Sequence, residues 1–144
     1  MRRLLVALDG SPRARGVLEG ANAFATRLGA KLVLVRASTI AGELPAEAYL
    51  SGPEAVHQVL VRRSMDDLRA LAEGLEDRVE KVRVEQGSAW EVIDRVAQEE
   101  EVDAIVIGAH GYGTIERMLG TVASRVVNHA DRPVLVVREP GRLR

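Results

Sequence analysis

The chain has 144 residues, 47% of them hydrophobic, 28% charged and only 3% aromatic, which is typical of a single soluble globular domain spanning 1–144. Its 20 basic and 21 acidic residues leave a formal net charge of −1, which argues against nucleic acid or an anionic membrane surface as a partner. The absence of cysteine excludes disulfides, thiolate zinc sites and a cysteine nucleophile. Because no run approaches the ~20 apolar residues of a membrane span and the start lacks a signal-peptide pattern, we expect a cytoplasmic protein.

The first part of the chain reads as strand, helix, strand. The apolar run Leu4–Leu8 predicts a buried strand. Ser11 and Pro12 predict a helix start, with serine as the N-cap and proline in the first helical position. Gly29 predicts the end of that helix, and a second apolar strand is predicted over 31–35.

The middle of the chain is less regular. Residues 37–53 contain two glycines and two prolines without a clean period, so we predict a loop. A helical period returns over 54–74. The next strand, marked by Val79, Val82 and Val84, is less apolar than the others, which indicates an edge position although its alternation is broken.

The last third repeats the alternation. Ser88 and Glu91 have the spacing of a capping box, which predicts reciprocal hydrogen bonds at the start of a third helix. A fourth strand is predicted over 104–107, a helix ending near His129, and a last strand over 133–137. Strands that alternate with helices predict an α/β fold, here a doubly wound, five-stranded parallel sheet with helices on both faces.

A glycine-rich segment, Gly108–Thr121, follows the fourth predicted strand, and Asp9-Gly10 follows the first. In open α/β sheets ligands bind beyond the carboxyl ends of strands where the strand order reverses, so these segments line one crevice if the two strands are neighbours. Glycine lets backbone amides approach a phosphate, and a helix starting near Thr121 adds free N–H groups. The alternative is that the glycines are only turn residues and Thr121 only an N-cap.

The motif Gly108-Ala-His-Gly111, followed by Gly120-Thr121, resembles the signature of the nucleotide-binding branch of the universal stress protein family, Gly-x-x-Gly-(x)9-Gly-Ser/Thr. The resemblance extends over the whole chain. It implies a UspA-like, Rossmann-like fold of the adenine nucleotide alpha hydrolase type, ATP binding with Mg²⁺, and a homodimer joined through the last strand, 133–138. The chain departs from the pattern in having YGTIERML, one residue fewer, between Gly111 and Gly120.

The resemblance also implies which residues meet the nucleotide. Asp9 would contact the ribose, and the backbone near Ala7, Leu8 and Ala37 would border the adenine. His110 lies inside the motif and either touches a phosphate or is solvated. The residues implied to approach the ribose or hold the phosphates are Gly108, Gly111, Gly120, Thr121 and Val122.

The function that follows is an ATP-binding stress-response sensor or signalling module. No general base is visible in the sequence, so we expect ATP hydrolysis to be slow at most. The alternative is an interaction module of the same fold that does not bind nucleotide, which the shortened segment favours. A nucleotide-dependent enzyme of the same α/β class is a third reading, but the first loop carries no glycine-rich motif to support it.

Overall fold

The structure is a computed structural model that describes residues 2–38, 50, 52–110 and 119–138. Its strands are β1 (Arg3–Ala7), β2 (Lys31–Ser38), β3 (Val79–Gln86), β4 (Ala104–Gly108) and β5 (Val134–Val137). Its helices are α1 (Ala14–Leu28), α2 (Pro53–Leu71), α3 (Ala89–Glu99) and α4 (Thr121–His129). Among the described residues, no helix combines the length and the apolar character needed to cross a membrane.

The five strands form one parallel sheet in the order β3-β2-β1-β4-β5. The chain winds outward from β1 to β3 and then returns to β4 and β5 on the other side. The strand order therefore reverses between β1 and β4, and a crevice opens beyond their carboxyl ends. The predicted α/β fold is confirmed.

Helices cover both faces of the sheet. Leu4 and Val6 of β1 pack toward α1 and α2, while Leu5 between them packs toward α3 and α4. All three side chains are at most 1% exposed. Each stabilises the fold by about 1.5–3 kcal/mol through removal of apolar surface from water. Burial on two sides explains why the inner strands are continuous apolar runs.

β3 lies at the edge of the sheet, as its polarity indicates. Its pairing with β2 is irregular, because Leu32 pairs with Val79 whereas Val33 pairs with Lys81. Glu80 is therefore an extra residue, and this bulge is the reason for the broken alternation. The bulge and the charged side chains protect the edge from pairing with another strand.

A nearly buried carboxylate ties β3 to the end of α3. Glu100 is 8% exposed and accepts hydrogen bonds from Lys81 Nζ and Arg83 Nη1, both at 3.1 Å. Burial alone would raise the pKa of Glu100, but these hydrogen bonds and positive charges outweigh burial and lower the pKa. The carboxylate consequently stays ionised at neutral pH.

Two predicted helix caps differ from the structure. α1 begins at Ala14 with Arg13 as its N-cap. Ser11 is not the cap, because it closes a turn before the helix. Its Oγ accepts the Arg13 amide at 3.3 Å, and its carbonyl accepts the Ala14 amide at 3.1 Å. Ser88 is the N-cap of α3 by position, but its side chain makes no capping hydrogen bond, so the predicted capping box is wrong. Ser88 and Glu91 are exposed, so water can satisfy the amides there.

β2 is longer than the predicted strand. It continues to Ser38 because its pairing with β3 persists after β1 has ended at Ala7. α2 begins at Pro53 and ends at Leu71, three residues before the predicted end. Residues 39–49 and 51 of the predicted loop lie outside the described residues. The extension of β2 past β1 matters for the site.

Candidate functional site

A cleft of about 330 Å³ lies beyond the carboxyl ends of β1, β2 and β4. Its volume falls in the range of about 300–1,000 Å³ that is usual for small-molecule sites. Apolar side chains from both layers of helices line it, among them Val17 and Ile93. The cleft brings together nine predicted site residues, which are Ala7, Leu8, Asp9, Ala37, Gly108, His110, Gly120, Thr121 and Val122. Gly111 lies outside the described residues, and the nucleotide contacts of all ten stay predictions.

Asp9 is held at the cleft by a local turn. Its Oδ1 accepts the Ser11 amide at 2.9 Å, which closes an Asx-turn directly after β1. Ser11 is buried and Asp9 is exposed. Among the described residues, nothing donates to the second carboxylate oxygen of Asp9. The carboxylate is therefore oriented by the backbone of its own turn.

The extension of β2 leaves peptide groups facing the cleft. The Leu8 amide donates to the Val35 carbonyl at 3.0 Å, on the β1 side of β2. The Gly87 amide donates to the Ser38 carbonyl at 3.3 Å, on the β3 side. By the alternation of a parallel ladder, the N–H and C=O of Ala37 face the β1 side. β1 has ended there, and no backbone group in the described ranges pairs with Ala37 on that side.

Arg36 fills the space beside these peptide groups. Its Nε donates to the Leu8 carbonyl at 3.1 Å and its Nη2 to the Asp9 carbonyl at 2.9 Å. Its Nη1 lies 3.3 Å from Asp67 Oδ2 on α2. The Arg36 side chain is only 10% exposed. Sequence analysis missed this residue, although a charged residue directly after the apolar run 31–35 was a signal that it has a specific partner.

Helix α4 presents its amino terminus to the cleft. Its N-cap is Gly120, and no side chain caps the helix. The first intrahelical bond runs from the Ser124 amide to the Gly120 carbonyl at 2.9 Å. The amides of Thr121, Val122 and Ala123 precede it, and nothing in the described part of the chain accepts from them. These amides and the positive end of the helix dipole suit an anion.

Gly120 contributes less to this donor set than expected. Its amide donates to the Ala109 carbonyl at 2.8 Å, so the free donors begin with Thr121. Its φ of −62° is accessible to any residue, so no unusual dihedral requires glycine at this position. Gly120 is buried and joins the start of α4 to the end of β4.

Gly108 has a packing reason to be glycine. A Cβ at this position would lie 2.8 Å from Cγ2 of Val17 on α1. No real side chain tolerates such a distance, so one of the two groups would have to move. The close approach of α1 to β4, which forms one wall of the cleft, therefore depends on this glycine.

His110 ends the described part of the motif. Its Nδ1 is buried and has no hydrogen-bond partner among the described residues. An unpaired buried polar nitrogen costs about 1–3 kcal/mol, so a group bound at the cleft would gain by pairing with it. No cluster of three or more His, Asp or Glu side chains suited to a metal ion occurs in the described ranges.

The universal stress protein family model matches residues 1–138. The chain belongs to the universal stress protein family. A curated universal stress protein from Thermus aquaticus, encoded in the 3′ region of a QAH/OAS sulfhydrylase, is 34% identical over 141 residues. That match covers 95% of this chain and 98% of the relative.

Solved structures of the family share the fold. Universal stress protein UspA from Lactobacillus plantarum is 27% identical and superposes with a TM-score of 0.74, covering 95% of this chain and 97% of its own. A universal stress protein crystallised in complex with cAMP is 24% identical, with a TM-score of 0.63, and covers 96% of this chain and 97% of its own. The second likeness concerns the fold alone.

Proposed function

We propose that this universal stress protein binds ATP in the cleft and acts as a cytoplasmic stress-response sensor or signalling module. The observation that carries the proposal is a row of polar atoms across three neighbouring strands, none of which has a partner among the described residues. Ala37 lies on β2, Asp9 follows β1, and the free amides of α4 follow β4. Neighbouring strands are about 4.8 Å apart, so the row extends over about 10 Å, a span that suits a nucleoside and its first phosphates.

The peptide groups of Ala37 suit adenine in particular. The Watson–Crick edge of adenine offers an acceptor at N1 and a donor at the 6-amino group. An adjacent backbone N–H and C=O complement these two groups. Guanine has a donor at N1–H and an acceptor at O6. Its donor would therefore face the backbone N–H and its acceptor the backbone C=O. The universal stress protein that was crystallised with cAMP shows that a protein of this fold can bind an adenine nucleotide.

The remainder of the cleft suits ribose and phosphate. The unengaged Asp9 oxygen can accept a ribose hydroxyl, and the amides of Thr121, Val122 and Ala123 can donate to phosphate oxygens. Mg²⁺ would enter on the phosphates of ATP and keep several of its waters, as is usual for this ion. We propose signalling rather than fast ATP hydrolysis as the role of this binding.

Calorimetric titration tests this proposal. We expect MgATP to bind wild-type protein at least tenfold more tightly than MgGTP, because GTP reverses the donor and acceptor opposite Ala37.

We expect Asp9→Ala to weaken ATP binding about tenfold, since it removes a charged acceptor from the ribose. Asp9→Asn is the matched control for local structure, because its amide oxygen can still accept the Ser11 amide. Neither heat nor a thermal shift at millimolar ATP would instead support the interaction module without nucleotide.

We also propose that β5 joins two copies of the chain into a homodimer over 133–138. β5 is an edge strand, and its four residues are only partly buried. The Pro133 carbonyl accepts the amide of Ile105 on β4, and the Val137 carbonyl accepts the amide of Ala109, which directly follows β4. By alternation the peptide groups of Val136 face away from β4, where a second β5 can pair with them.

Val136→Pro is expected to convert this dimer to a monomer without loss of the fold. The substitution removes an outward N–H and leaves the pairing with β4 intact, which edge strands tolerate. A charged side chain at Val136 is a poorer test, because Val136 packs against the core on the side of α3 and α4. Val136→Thr keeps the amide and should stay dimeric. Light scattering distinguishes the species, and a monomeric wild type at micromolar concentration contradicts the proposal.

A further inference from the structure

We propose that Arg36 is a positioning residue that keeps the adenine-facing amide of Ala37 unpaired and fixes the ribose-facing turn at Asp9. This inference rests on the proposed binding of ATP in the cleft. It concerns a side chain that follows the apolar run of β2 and whose guanidinium bonds to two backbone carbonyls.

The first step concerns the Leu8 carbonyl. The β1–β2 ladder ends with the bond from the Leu8 amide to the Val35 carbonyl. Its next bond would run from the Ala37 amide to the Leu8 carbonyl. Arg36 Nε donates to that carbonyl instead, at 3.1 Å. A charged donor makes a stronger hydrogen bond than an amide, so Arg36 takes the acceptor and leaves the Ala37 amide to the cleft.

The second step concerns the turn after β1. Arg36 Nη2 donates to the Asp9 carbonyl at 2.9 Å, while the Asp9 carboxylate accepts the Ser11 amide. Hydrogen bonds therefore fix both the backbone carbonyl and the side-chain carboxylate of Asp9. The rigid planar fork of a guanidinium can bond to two successive carbonyls at once, which the single ammonium of lysine does not reproduce.

The third step identifies which contacts matter. The Arg36 side chain is 10% exposed, whereas Asp67, its partner on α2, is 68% exposed. An ion pair open to solvent on one side contributes little. The two carbonyl contacts therefore carry the role, and Asp67→Asn is the matched control that removes the ion pair alone.

Arg36→Met tests the inference, because methionine is similarly long but has no donors. We expect ATP affinity to fall about tenfold. We also expect the preferences for ATP over GTP and over 3′-deoxyATP to shrink together, a change that a general loss of stability does not produce. Asp67→Asn and the exposed-surface control Arg62→Met should keep affinity and both preferences within about twofold. A folded Arg36→Met protein with unchanged preferences overturns the inference.

Hydrogen exchange measured by NMR supplies a readout without nucleotide. In the free wild-type protein the Ala37 amide should exchange rapidly, and Arg36→Met should slow it about tenfold as the ladder closes onto Leu8. Arg36→Lys replaces Arg36→Met if the latter does not fold, and it should not restore the ATP preference. Protection of Ala37 in the free wild type overturns the inference. If wild-type protein fails to bind ATP while Ala37 behaves as stated, the binding proposal fails and the role of Arg36 in the strand ladder stands.

Discussion

Replacement of Thr121 by proline is expected to weaken ATP binding about 10- to 100-fold while the stability of the protein is retained. The substitution deletes one of the amides at the start of α4 that have no acceptor in the described ranges and are proposed to meet the phosphates. A hydrogen bond to a charged group contributes about 1.5–3 kcal/mol, which corresponds to this loss of affinity. Calorimetric titration with MgATP measures the loss of affinity.

The helix should tolerate this proline. Thr121 is the first helical residue, where proline is favoured because the missing N–H has no partner in the helix. The preceding residue, Gly120, has φ −62° and ψ 165°, and this extended backbone is what a following proline requires. Thr121→Ala is the control, because it removes the hydroxyl and keeps the amide. If Thr121→Pro binds ATP as wild type does, the phosphates do not lie at α4.

Replacement of Gly108 by alanine is expected to lower the free energy of unfolding by about 1–3 kcal/mol, the usual cost of overpacking a core. The new Cβ would lie 2.8 Å from Cγ2 of Val17. Valine in a helix has one strongly preferred χ1 rotamer, so this methyl group cannot turn away cheaply. Urea denaturation at neutral pH measures the change.

Val17→Ala in the same chain is expected to restore much of that stability. Gly108→Ala alone destabilises the protein by overpacking, and Val17→Ala alone destabilises it by leaving a cavity. In the double variant the two effects compensate, with a coupling energy of about 0.5–3 kcal/mol. Gly29→Ala is the control: Gly29 has φ +67° and open space around it, so its cost comes from backbone strain and Val17→Ala should not rescue it. Additive effects of Gly108→Ala and Val17→Ala would show that the contact is not what requires glycine.

These two experiments separate the roles of a glycine-rich motif that a sequence presents as one unit. Gly108 has a packing reason, since α1 approaches β4 closely there. Gly120 joins β4 to α4 through its amide, and the free donors come from the residues that follow it. A glycine in such a motif can thus serve the fold while its neighbours are the residues proposed to meet the ligand.

The sequence by itself was sufficient for the architecture. Continuous apolar runs require burial on both sides, and their alternation with helical periods leads to a parallel sheet, since parallel strands need crossover helices. The polar pattern of β3 correctly indicated an edge, because exposed edges are polar. Asp9 and the described ends of the glycine-rich segment, residues 108–110 and 120–121, share the cleft as predicted, because carboxyl ends of adjacent parallel strands lie on one side of the sheet.

Only the tertiary structure decided which atoms face the cleft. β2 continues three residues past Val35 because β3 pairs with it, and this long-range pairing carries the Ala37 peptide groups past the end of β1. Arg36 acquires its role from two carbonyls 28 and 27 residues earlier in the chain, which no local pattern encodes. The sequence determined the strands, the helices and the edge of the sheet where the cleft lies, since these follow from local periodicity and from the direction of parallel strands. Hydrogen-bond partners and the closeness of Val17 to Gly108 depend on how distant segments meet, and were therefore decided by packing.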